Sequence, residues 1–480
     1  MSDITYDKFD IGLDRRKSAS TSESNRLQEC KNAHITQGKV IRKRPGSTLQ
    51  AALETGTKGL FGANGLLNTF YPYNATPITH SDSLFQANEL NHALNTAYAS
   101  GTLSKIHSSD VFSGYIYLAA EYSDGNTFHY YLDGAAGVQN LVIDVACPHS
   151  KNFLKMTEKI YGIDAPNNQI LYTMTSAPKT WTAGAGSGDA GNLATGNQAK
   201  GSSVPVALGE YQDRLSVFMS DSMQLWNVGA VDTDFGFYKK IGGIGTKYPN
   251  SVNEFAGDIV FASKAGFRSI GLQVDTGNLI DNDIGSPIDS IVKPLISDTT
   301  EILSEYFPTQ GQLWQVINGV STATVYVYTF SRTMSISAWS EYEYPFVVDA
   351  ITSLDGYVYL RSGDNVYKVD ETGAIYTDNG AAYEMRVELP FLDFKLPGSS
   401  KYIKGMDIVC TGTVDIQFRY DPNNPALITD PITLSGDTRV SSMIPVEITT
   451  TSIAPVITSA ANELVQIDAI TFYYDNLGAF

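Results

Sequence analysis

The chain has 480 residues, of which 42% are hydrophobic and 18% charged. This composition supplies apolar surface for two to four domains and excludes a disordered chain. The 41 Gly and 19 Pro are close to average usage and exclude a collagen-like class. Apolar runs such as Val325–Phe330 are too short to span a bilayer, and the N-terminus lacks the basic-then-apolar order of a signal peptide. We therefore expect a protein made in a cytoplasm.

The net charge of −18 is unevenly distributed along the chain. Residues 1–50 contain ten basic and six acidic residues, a charge of +4, so the remaining residues carry −22. Proteins that bind duplex DNA tightly neutralise phosphates with Lys and Arg. The acidic body excludes a large DNA-gripping surface, and any double-stranded DNA is expected to pass without specific binding.

The three cysteines, Cys30, Cys147 and Cys410, are scattered and odd in number. Their spacing matches neither a disulfide framework nor a zinc site. All six His lie at or before His149, and the sequence contains no HExxH, P-loop or Gly-x-Ser-x-Gly motif. The sequence therefore predicts no catalytic residue, no cofactor and no metal site.

The N-terminal segment contains a basic hairpin. The pattern predicts a strand over Ala33–Thr36, a turn at Gln37-Gly38, a strand over Lys39–Lys43 and a stop at Pro45-Gly46. A solvated basic hairpin is one interpretation. The functional interpretation is a contact surface for an acidic partner, formed by four residues: Lys39, Arg42, Lys43 and Arg44.

The segment Leu84–Ser100 shows helical spacing. Leu90, Leu94 and Tyr98 recur at intervals of four residues, which predicts a short surface helix. We group residues 1–104 as an N-terminal arm, with the basic hairpin and a helical insertion.

Six stretches between residues 105 and 385 resemble one another, each with a polar lead-in followed by a strand. They are Gly114–Leu118, Asn168–Tyr172, Asp213–Phe218, Gly257–Phe261, Gly311–Val316 and Gly356–Leu360. A period of roughly 40 to 55 residues is typical of a propeller blade. The sequence thus predicts an all-β fold with a six-bladed β-propeller over 105–385. A generic multi-sheet β fold is the alternative.

Hairpin turns support this assignment of the six stretches. The connections expected between strands are Ser123-Asp124-Gly125, Ser220-Asp221-Ser222, Lys264-Ala265-Gly266, Asn318-Gly319 and Ser362-Gly363-Asp364-Asn365. Gly, Asn and Asp favour such turns because they tolerate positive φ.

Residues 183–203 are small or polar apart from Leu193, which predicts a flexible loop. We expect this loop to reach a channel or a subunit seam. Its candidate residues are Gly184, Gly188, Asp189, Asn192, Asn197 and Lys200.

Two further elements follow. Ser286-Pro287 begins a predicted helix over Ile288–Ser297, which Pro294 would limit. Residues 386–480 read as a C-terminal β-sandwich-like domain. Its predicted strands are Leu389–Leu396, Tyr402–Thr411, Val414–Tyr420, Ile444–Thr450 and Val465–Tyr474.

Several of these motifs together resemble the tail nozzle proteins of short-tailed bacteriophages, the packaged-DNA stabilisation or tail tubular protein B type. The resemblance covers most of residues 11–380 but not the segments 84–100 and 183–203. It is carried by Asn32, Gly38 and Arg42-Lys43-Arg44-Pro45-Gly46, Gly209–Phe218 with Met223–Trp226, Gly242–Gly245, Asp258–Phe261 and Ser286-Pro287-Ile288.

The resemblance implies a non-enzymatic virion protein with a six-bladed propeller. Six copies would form a nozzle below the portal and the head-to-tail adaptor ring, prolong the DNA-ejection channel, help retain packaged DNA and carry tail spikes or fibres. The location would be the virion tail, assembled in the host cytoplasm.

A carbohydrate-binding or carbohydrate-cleaving propeller, such as a receptor-binding tail protein, is the alternative. A sialic-acid site would need several Arg to hold a carboxylate. One Arg in each of five regions is available, namely Arg214, Arg268, Arg332, Arg361 and Arg386. A glycosidase would need two close carboxyls, which sequence cannot select among 51 acids.

Overall fold

A computed structural model describes residues 2–73, 83–86, 89–95, 101–132, 141–199, 203–271, 283–370, 373–424, 426–440 and 443–479. This part of the chain is mainly β. Seven strands precede residue 58: β1 (Ser2–Tyr6), β2 (Gly12–Leu13), β3 (Arg26–Leu27), β4 (Glu29–Lys31), β5 (Ala33–Ile35), β6 (Ile41–Lys43) and β7 (Ser47–Ala52).

Seven successive antiparallel hairpin sheets follow in the described residues, numbered here 1 to 7. Sheet 1 contains β8 (Lys58–Ala63), β9 (Leu66–Tyr73), β10 (Ser83–Gln86) and β11 (Glu89–Asn95), of which β9 and β11 run parallel. Sheet 2 contains β12 (Leu103–Phe112), β13 (Tyr115–Tyr122) and β14 (Thr127–Leu132). Sheet 3 contains β15 (Phe153–Met156), β16 (Lys159–Asp164), β17 (Gln169–Tyr172) and β18 (Gly191–Leu193).

The remaining sheets continue in chain order. Sheet 4 contains β19 (Pro205–Tyr211), β20 (Arg214–Met219), β21 (Ser222–Asn227) and β22 (Gly236–Gly242). Sheet 5 contains β23 (Asn253–Phe255), β24 (Asp258–Ser263) and β25 (Gly266–Ser269). Sheet 6 contains β26 (Ile302–Phe307), β27 (Gln312–Asn318), β28 (Ala323–Ser331) and β29 (Ile336–Tyr344). Sheet 7 contains β30 (Ala350–Leu354), β31 (Tyr357–Ser362) and β32 (Asn365–Val369), together with β7.

The first strands of the seven sheets form a closed ring. Their contacts run from β8 to β12, β15, β19, β23, β26 and β30, and from β30 back to β8. Residues in or immediately before each first strand line one central cavity. Because each sheet radiates from this cavity, the arrangement is β-propeller-like.

A shared turn explains why these sheets begin alike. In six of the seven, two residues with positive φ join the first and second strands: Asn64-Gly65, Ser113-Gly114, Thr157-Glu158, Gln212-Asp213, Ala256-Gly257 and Asp355-Gly356. Two consecutive positive φ values are the requirement of a type I′ hairpin, whose twist matches the twist of the strands. Sheet 6 uses a longer connection that ends at Gly311.

Strand β7 closes the ring. It pairs antiparallel with β32 as the fourth strand of sheet 7, while β8, which follows it in the chain, is the first strand of sheet 1. The two ends of the ring are thus joined by backbone hydrogen bonds, which removes an open sheet edge.

The predicted number of six sheets is wrong for the described residues, which form seven. Sheet 1 occupies the segment assigned to the N-terminal arm, where the described residues 84–86 and 89–95 are strands and not a helix. Residues 87–88 and 96–100 of that predicted helix lie outside the description. In sheet 3 the predicted strand Asn168–Tyr172 is the third strand, whereas the other five similar stretches lie on second strands.

The sheet pairings divide residues 1–104 differently from a single arm. Strands β1, β2, β4 and β6 pair with strands from residue 336 onward, and β3 and β5 pair with β2 and β6, whereas β7 to β11 belong to the ring. The boundary at residue 104 therefore cuts through the ring of contacts between β8 and β12.

The predicted helix after Ser286 is confirmed. A 3₁₀ turn at Ser286–Ile288 leads into a helix at Asp289–Asp298, and Pro294 lies within it without ending it. Val292 and Ile296 are buried on its inner face. Other 3₁₀ turns are Thr195–Gln198, Asp232–Asp234, Pro249–Ser251 and Thr438–Val440.

The C-terminal strands are β33 (Thr377–Asp378), β34 (Ala381–Ala382), β35 (Met385–Glu388), β36 (Ser399–Thr411), β37 (Thr413–Arg419), β38 (Ile432–Ser435), β39 (Ile444–Thr450), β40 (Ala454–Ser459) and β41 (Gln466–Ala479). Four of the five predicted C-terminal strands are confirmed. Leu389–Leu396 forms no strand and only an isolated bridge at Leu392.

β33 and β34 extend sheet 7 beyond β7, and β35 to β41 form two sheets around a shared core. One has the order β39-β36-β41-β6-β5, with β1 also on β41, and the other continues sheet 6 through β4 into β35-β40-β37-β38. Phe472 of the first sheet and Phe418 of the second have ring centroids 6.1 Å apart. The N-terminal strands thus connect the C-terminal sheets to the ring.

Candidate functional site

The basic hairpin forms as predicted, but its four candidate residues have different environments. Lys39 is partly buried and lies 3.5 Å from Asp10, whereas Arg42 is exposed and donates to Gln466 Oε1 at 2.9 Å. These two side chains are the ones of the set that reach the surface.

Lys43 is buried and held by the chain itself. Its Nζ donates to the carbonyl oxygens of Ser459 at 3.3 Å and Ala461 at 2.7 Å. Burial, with the nearby Arg44, lowers the pKa of Lys43 to about 8. Lys43 therefore fastens β6 to the end of β40 and does not form an outer contact surface.

Arg44 is also fully buried and occupies the centre of what we term the arm junction, defined by Asn32, Arg44, Ser47, Asp378 and Tyr383. Its guanidinium makes a two-pronged pair with Asp378, with Nη1–Oδ1 at 3.0 Å and Nη2–Oδ2 at 2.5 Å. Its Nε donates to Asn32 Oδ1 at 2.9 Å, and the Tyr383 ring lies 3.7 Å from its central carbon. All sides of the cation are therefore occupied.

The arm junction joins three parts of the chain. Asn32 accepts the Glu343 N–H of sheet 6 at 2.9 Å and donates from Nδ2 to the Glu384 carbonyl at 2.8 Å. Ser47, at the start of β7, donates to Asp378 Oδ1 at 3.0 Å. Sheet 6, sheet 7 and the approach to the C-terminal sheets are thus fixed to one another around one cation.

Gly46 allows this close approach. A Cβ at Gly46 would lie 2.3 Å from the Thr377 carbonyl oxygen and 2.6 Å from its nitrogen. Backbone atoms cannot move aside as a flexible side chain can, so glycine is required by space at this position.

The predicted loop 183–203 lies at the outer end of sheet 3 and not among the residues lining the central cavity. Gly184 and Asp189 face each other across a short turn, and the Gly188 carbonyl accepts the Thr175 N–H at 2.9 Å. Asn192 lies on β18, and Asn197 lies in the following 3₁₀ turn. Lys200 lies outside the described residues.

The candidate arginines of the carbohydrate alternative do not converge. Arg268 is buried and pairs with Asp289 at 2.7 Å, and Arg361 is buried and donates to the Gly363 carbonyl at 2.5 Å. Arg386 pairs with Glu29 at 2.8 Å, and Arg214 covers the Tyr238 ring at 4.1 Å. Each is engaged within its own region.

The central cavity is a second candidate site, and the sequence pattern did not reveal it. Its volume is about 500 Å³, and its lining includes Lys105, His107, Asp110, Glu305 and Asp349. Glu305 Oε1 accepts from both the N–H and the hydroxyl of Ser353, each at 2.7 Å. Burial raises the pKa of Glu305 to about 7.

The two basic side chains of the cavity, Lys105 and His107, each have an acidic partner. Lys105 pairs with Glu301, and His107 Nε2 lies 2.7 Å from Glu121 Oε2. Asp349 accepts the Gly363 N–H at 2.7 Å and lies 3.7 Å from Arg361. Asp110 Oδ1 accepts the Val111 N–H at 2.7 Å. Burial raises the pKa of Asp110, and the nearby Lys155 acts in the opposite direction.

The described part of the chain contains no cluster of three or more His, Cys, Asp or Glu that could hold a metal ion. Within the same residues no helix has the length and apolar character needed to cross a membrane. All three cysteines are free and buried.

Comparison with known proteins finds no matching family model and no matching curated protein. Among solved structures, the WD40 domain of Neurospora crassa Pan2 is similar at 10% identity and a TM-score of 0.39, over 73% of this chain and 96% of that chain. The extracellular domain of a hybrid two-component system from B. thetaiotaomicron is similar at 9% identity and a TM-score of 0.29, over 64% of this chain and 42% of that one. The β-propeller-like fold rests on the sheet pairings and ring contacts of this chain itself.

Proposed function

We propose that this chain is a structural subunit of the tail nozzle of a short-tailed bacteriophage. The observation that carries the proposal is the arm junction, because the residues that carry the sequence resemblance meet there. Asn32 and Arg44 bond directly to each other at 2.9 Å, and Gly46 makes room for Thr377 beside them. A motif that fixes sheets to one another supports a structural role, in which the subunit forms part of the wall of a channel.

The proposal takes the ring as a seven-bladed β-propeller and residues 386–480 as a β-sandwich-like unit fixed to it. Continuity of sheet 6 through β4 into the C-terminal strands supports a stiff subunit. Six such subunits would surround the ejection channel below the adaptor ring and carry spikes or fibres. The excess of acidic residues, −22 beyond residue 50, favours passage of DNA without adhesion.

Lys39 and Arg42 are the residues of the hairpin that we propose for contact with the adaptor or a neighbouring subunit. Both are accessible at least in part, and their bonds to Asp10 and Gln466 lie at or near the surface, where exchange for an acidic partner costs little. Lys43 and Arg44 are removed from this contact because they are buried.

The test uses particles of the phage that encodes the chain, produced with and without it. With the chain present, we expect six copies below the adaptor in averaged particle images, and without it, particles that lose their packaged DNA. Particles that retain and eject DNA normally in its absence would contradict the proposal.

The contact assignment is tested by the double variant Lys39→Glu/Arg42→Glu, which should incorporate poorly into particles. The matched control is Lys264→Glu/Arg332→Glu, which reverses two exposed charges elsewhere on the ring. Equal incorporation of the two double variants would remove the hairpin from the interface and leave the nozzle assignment to the particle images.

A further inference from the structure

Two carboxyls lie on opposite sides of the ring. Asp110 lies on β12 and Glu305 on β26, and both line the central cavity. In the cyclic order of first strands, β12 and β26 are three steps apart, which is the largest separation that a ring of seven allows.

The two carboxyls also occupy equivalent positions in their strands. Phe112 and Phe307 are the last paired residues of their strands, opposite Tyr115 and Gln312 respectively. Asp110 and Glu305 each precede that last pair by two residues. Their side chains therefore leave equivalent positions of two first strands on opposite sides of one cavity.

Glu305 retains an acceptor for a ligand. Both hydrogen bonds to its carboxyl use Oε1, and Oε2 has no hydrogen-bond partner in the described residues. Oε2 is not enclosed by protein atoms, so it touches the open space of the cavity. A carboxyl enclosed by protein with one free oxygen is costly to ionise unless a cation approaches it.

We propose that the central cavity binds a linear organic diamine or polyamine, with one ammonium group on Glu305 and another toward Asp110. The charge balance favours a cation because Lys105 is paired with Glu301, and burial lowers the pKa of His107, whose Nε2 lies 2.7 Å from Glu121. Lys155, which is exposed, acts on Asp110 and not on Glu305. An organic cation fits better than a metal ion, since the volume of about 500 Å³ lies in the small-molecule range.

The lining is mainly polar but includes apolar residues that match the carbon chain of such a ligand. Phe61, Leu154, Val252 and Ile351 lie on the two arcs of the ring between the carboxyls, each partly buried against a hydrophobic core. Methylene groups would cover these side chains while the ammonium N–H groups donate to the carboxylates.

Binding is linked to the ionisation of the cavity. An ammonium favours the carboxylate of Glu305, whose pKa burial raises to about 7, so binding near neutral pH releases a proton. The other titratable groups that line the cavity are Lys105, His107, Asp110 and Asp349.

The test is calorimetric titration of the full chain with 1,4-diaminobutane at about pH 8, where Glu305 is ionised. We expect saturable binding at one site, at least tenfold tighter than for 1-aminobutane, and at least tenfold weaker in Glu305→Gln and in Asp110→Asn. Glu158→Gln is the matched control because Glu158 is exposed and remote from the cavity lining, and it should bind like the unmodified chain.

A second readout covers the case in which a variant alters the fold. Titrations near neutral pH in buffers of different ionisation enthalpy should show proton release in the unmodified chain and in Glu158→Gln, and not in Glu305→Gln. Absence of saturable binding would overturn the proposal. Binding that neither cavity variant changes would also overturn it, since nonspecific attraction of the diamine to the net negative charge would be the same in both variants.

Discussion

Arg44 and Asp378, which are 334 residues apart in the chain, form a fully buried two-pronged ion pair. The pair has Asn32, Ser47 and Tyr383 as its immediate neighbours, so the charges are satisfied by hydrogen bonds and covered by an aromatic ring. Burying two charges is costly, and removing one of them leaves the other without compensation. Loss of either Arg44 or Asp378 alone is therefore expected to destabilise the arm junction strongly.

Replacement Arg44→Met should lower the free energy of unfolding by roughly 3–5 kcal/mol, because Asp378 would remain buried without a cation. Urea unfolding monitored by Trp fluorescence measures the effect. The control is Arg42→Met, two residues away on the same hairpin, whose exposed guanidinium bonds only to Gln466 among the described residues. It should cost less than about 1 kcal/mol, and equal losses in the two variants would contradict the central place of Arg44.

Replacement Gly46→Ala should destabilise the chain by roughly 1–3 kcal/mol, because its Cβ would lie 2.3 Å from the Thr377 carbonyl oxygen. Gly38→Ala is the matched control. Its Cβ would meet Thr36 Oγ1 at an ordinary 3.5 Å, so the change should stay within about 0.5 kcal/mol. Thermal unfolding of both variants makes the comparison, and a tolerated Gly46→Ala would mean that the backbone at Thr377 yields.

Sequence rules found the turns between second and third strands. Ser123-Asp124-Gly125, Lys264-Ala265-Gly266 and Asn318-Gly319 join such strands, as predicted. Between the first and second strands of sheet 3, Thr157-Glu158 forms a turn with two residues that do not favour positive φ, so the second strand of sheet 3 gave no local signal. Tertiary packing imposes that turn against local preference.

Sheet 1, which the prediction missed, did have a local signal. Asn64-Gly65 is a hairpin dipeptide between β8 and β9, and the prediction made no use of it. The spacing of Leu90 and Leu94 predicted a helix where the structure has β11. The arm junction could not be predicted, because no local rule connects Arg44 with Asp378. The same holds for the cavity, since closing the ring is what places Asp110 opposite Glu305.

Ring closure by β7 predicts a specific cross-link. Thr48 and Lys368 are register partners on β7 and β32, and directly paired Cα atoms lie within disulfide range. The variant Thr48→Cys/Lys368→Cys should form a disulfide on mild oxidation, detectable as faster migration on non-reducing gels. The native cysteines are buried and should not compete.

The control for this cross-link is Thr48→Cys/Asn365→Cys. Asn365 pairs with Ala52 at the other end of β7, so its thiol lies too far from position 48. Cross-linking of the control in place of the register pair would show that β7 pairs with β32 in another register.

The stability of the ring should depend on pH through Glu305. Its folded-state pKa of about 7 lies above the ordinary value of 4.5, so the folded chain holds this proton more tightly than the unfolded chain. Stability is therefore lost as pH rises from about 4.5 to about 7 and is constant above that, with a total of up to about 3 kcal/mol.

The variant Glu305→Gln removes this pH dependence and retains an acceptor for Ser353. In urea unfolding at several pH values, the variant should gain stability relative to the unmodified chain across that window, whereas Glu158→Gln should run parallel to it. If the free energy of unfolding of Glu305→Gln also ran parallel to that of the unmodified chain across this pH range, the Glu305 carboxyl would be solvated and its pKa would not be raised by the cavity.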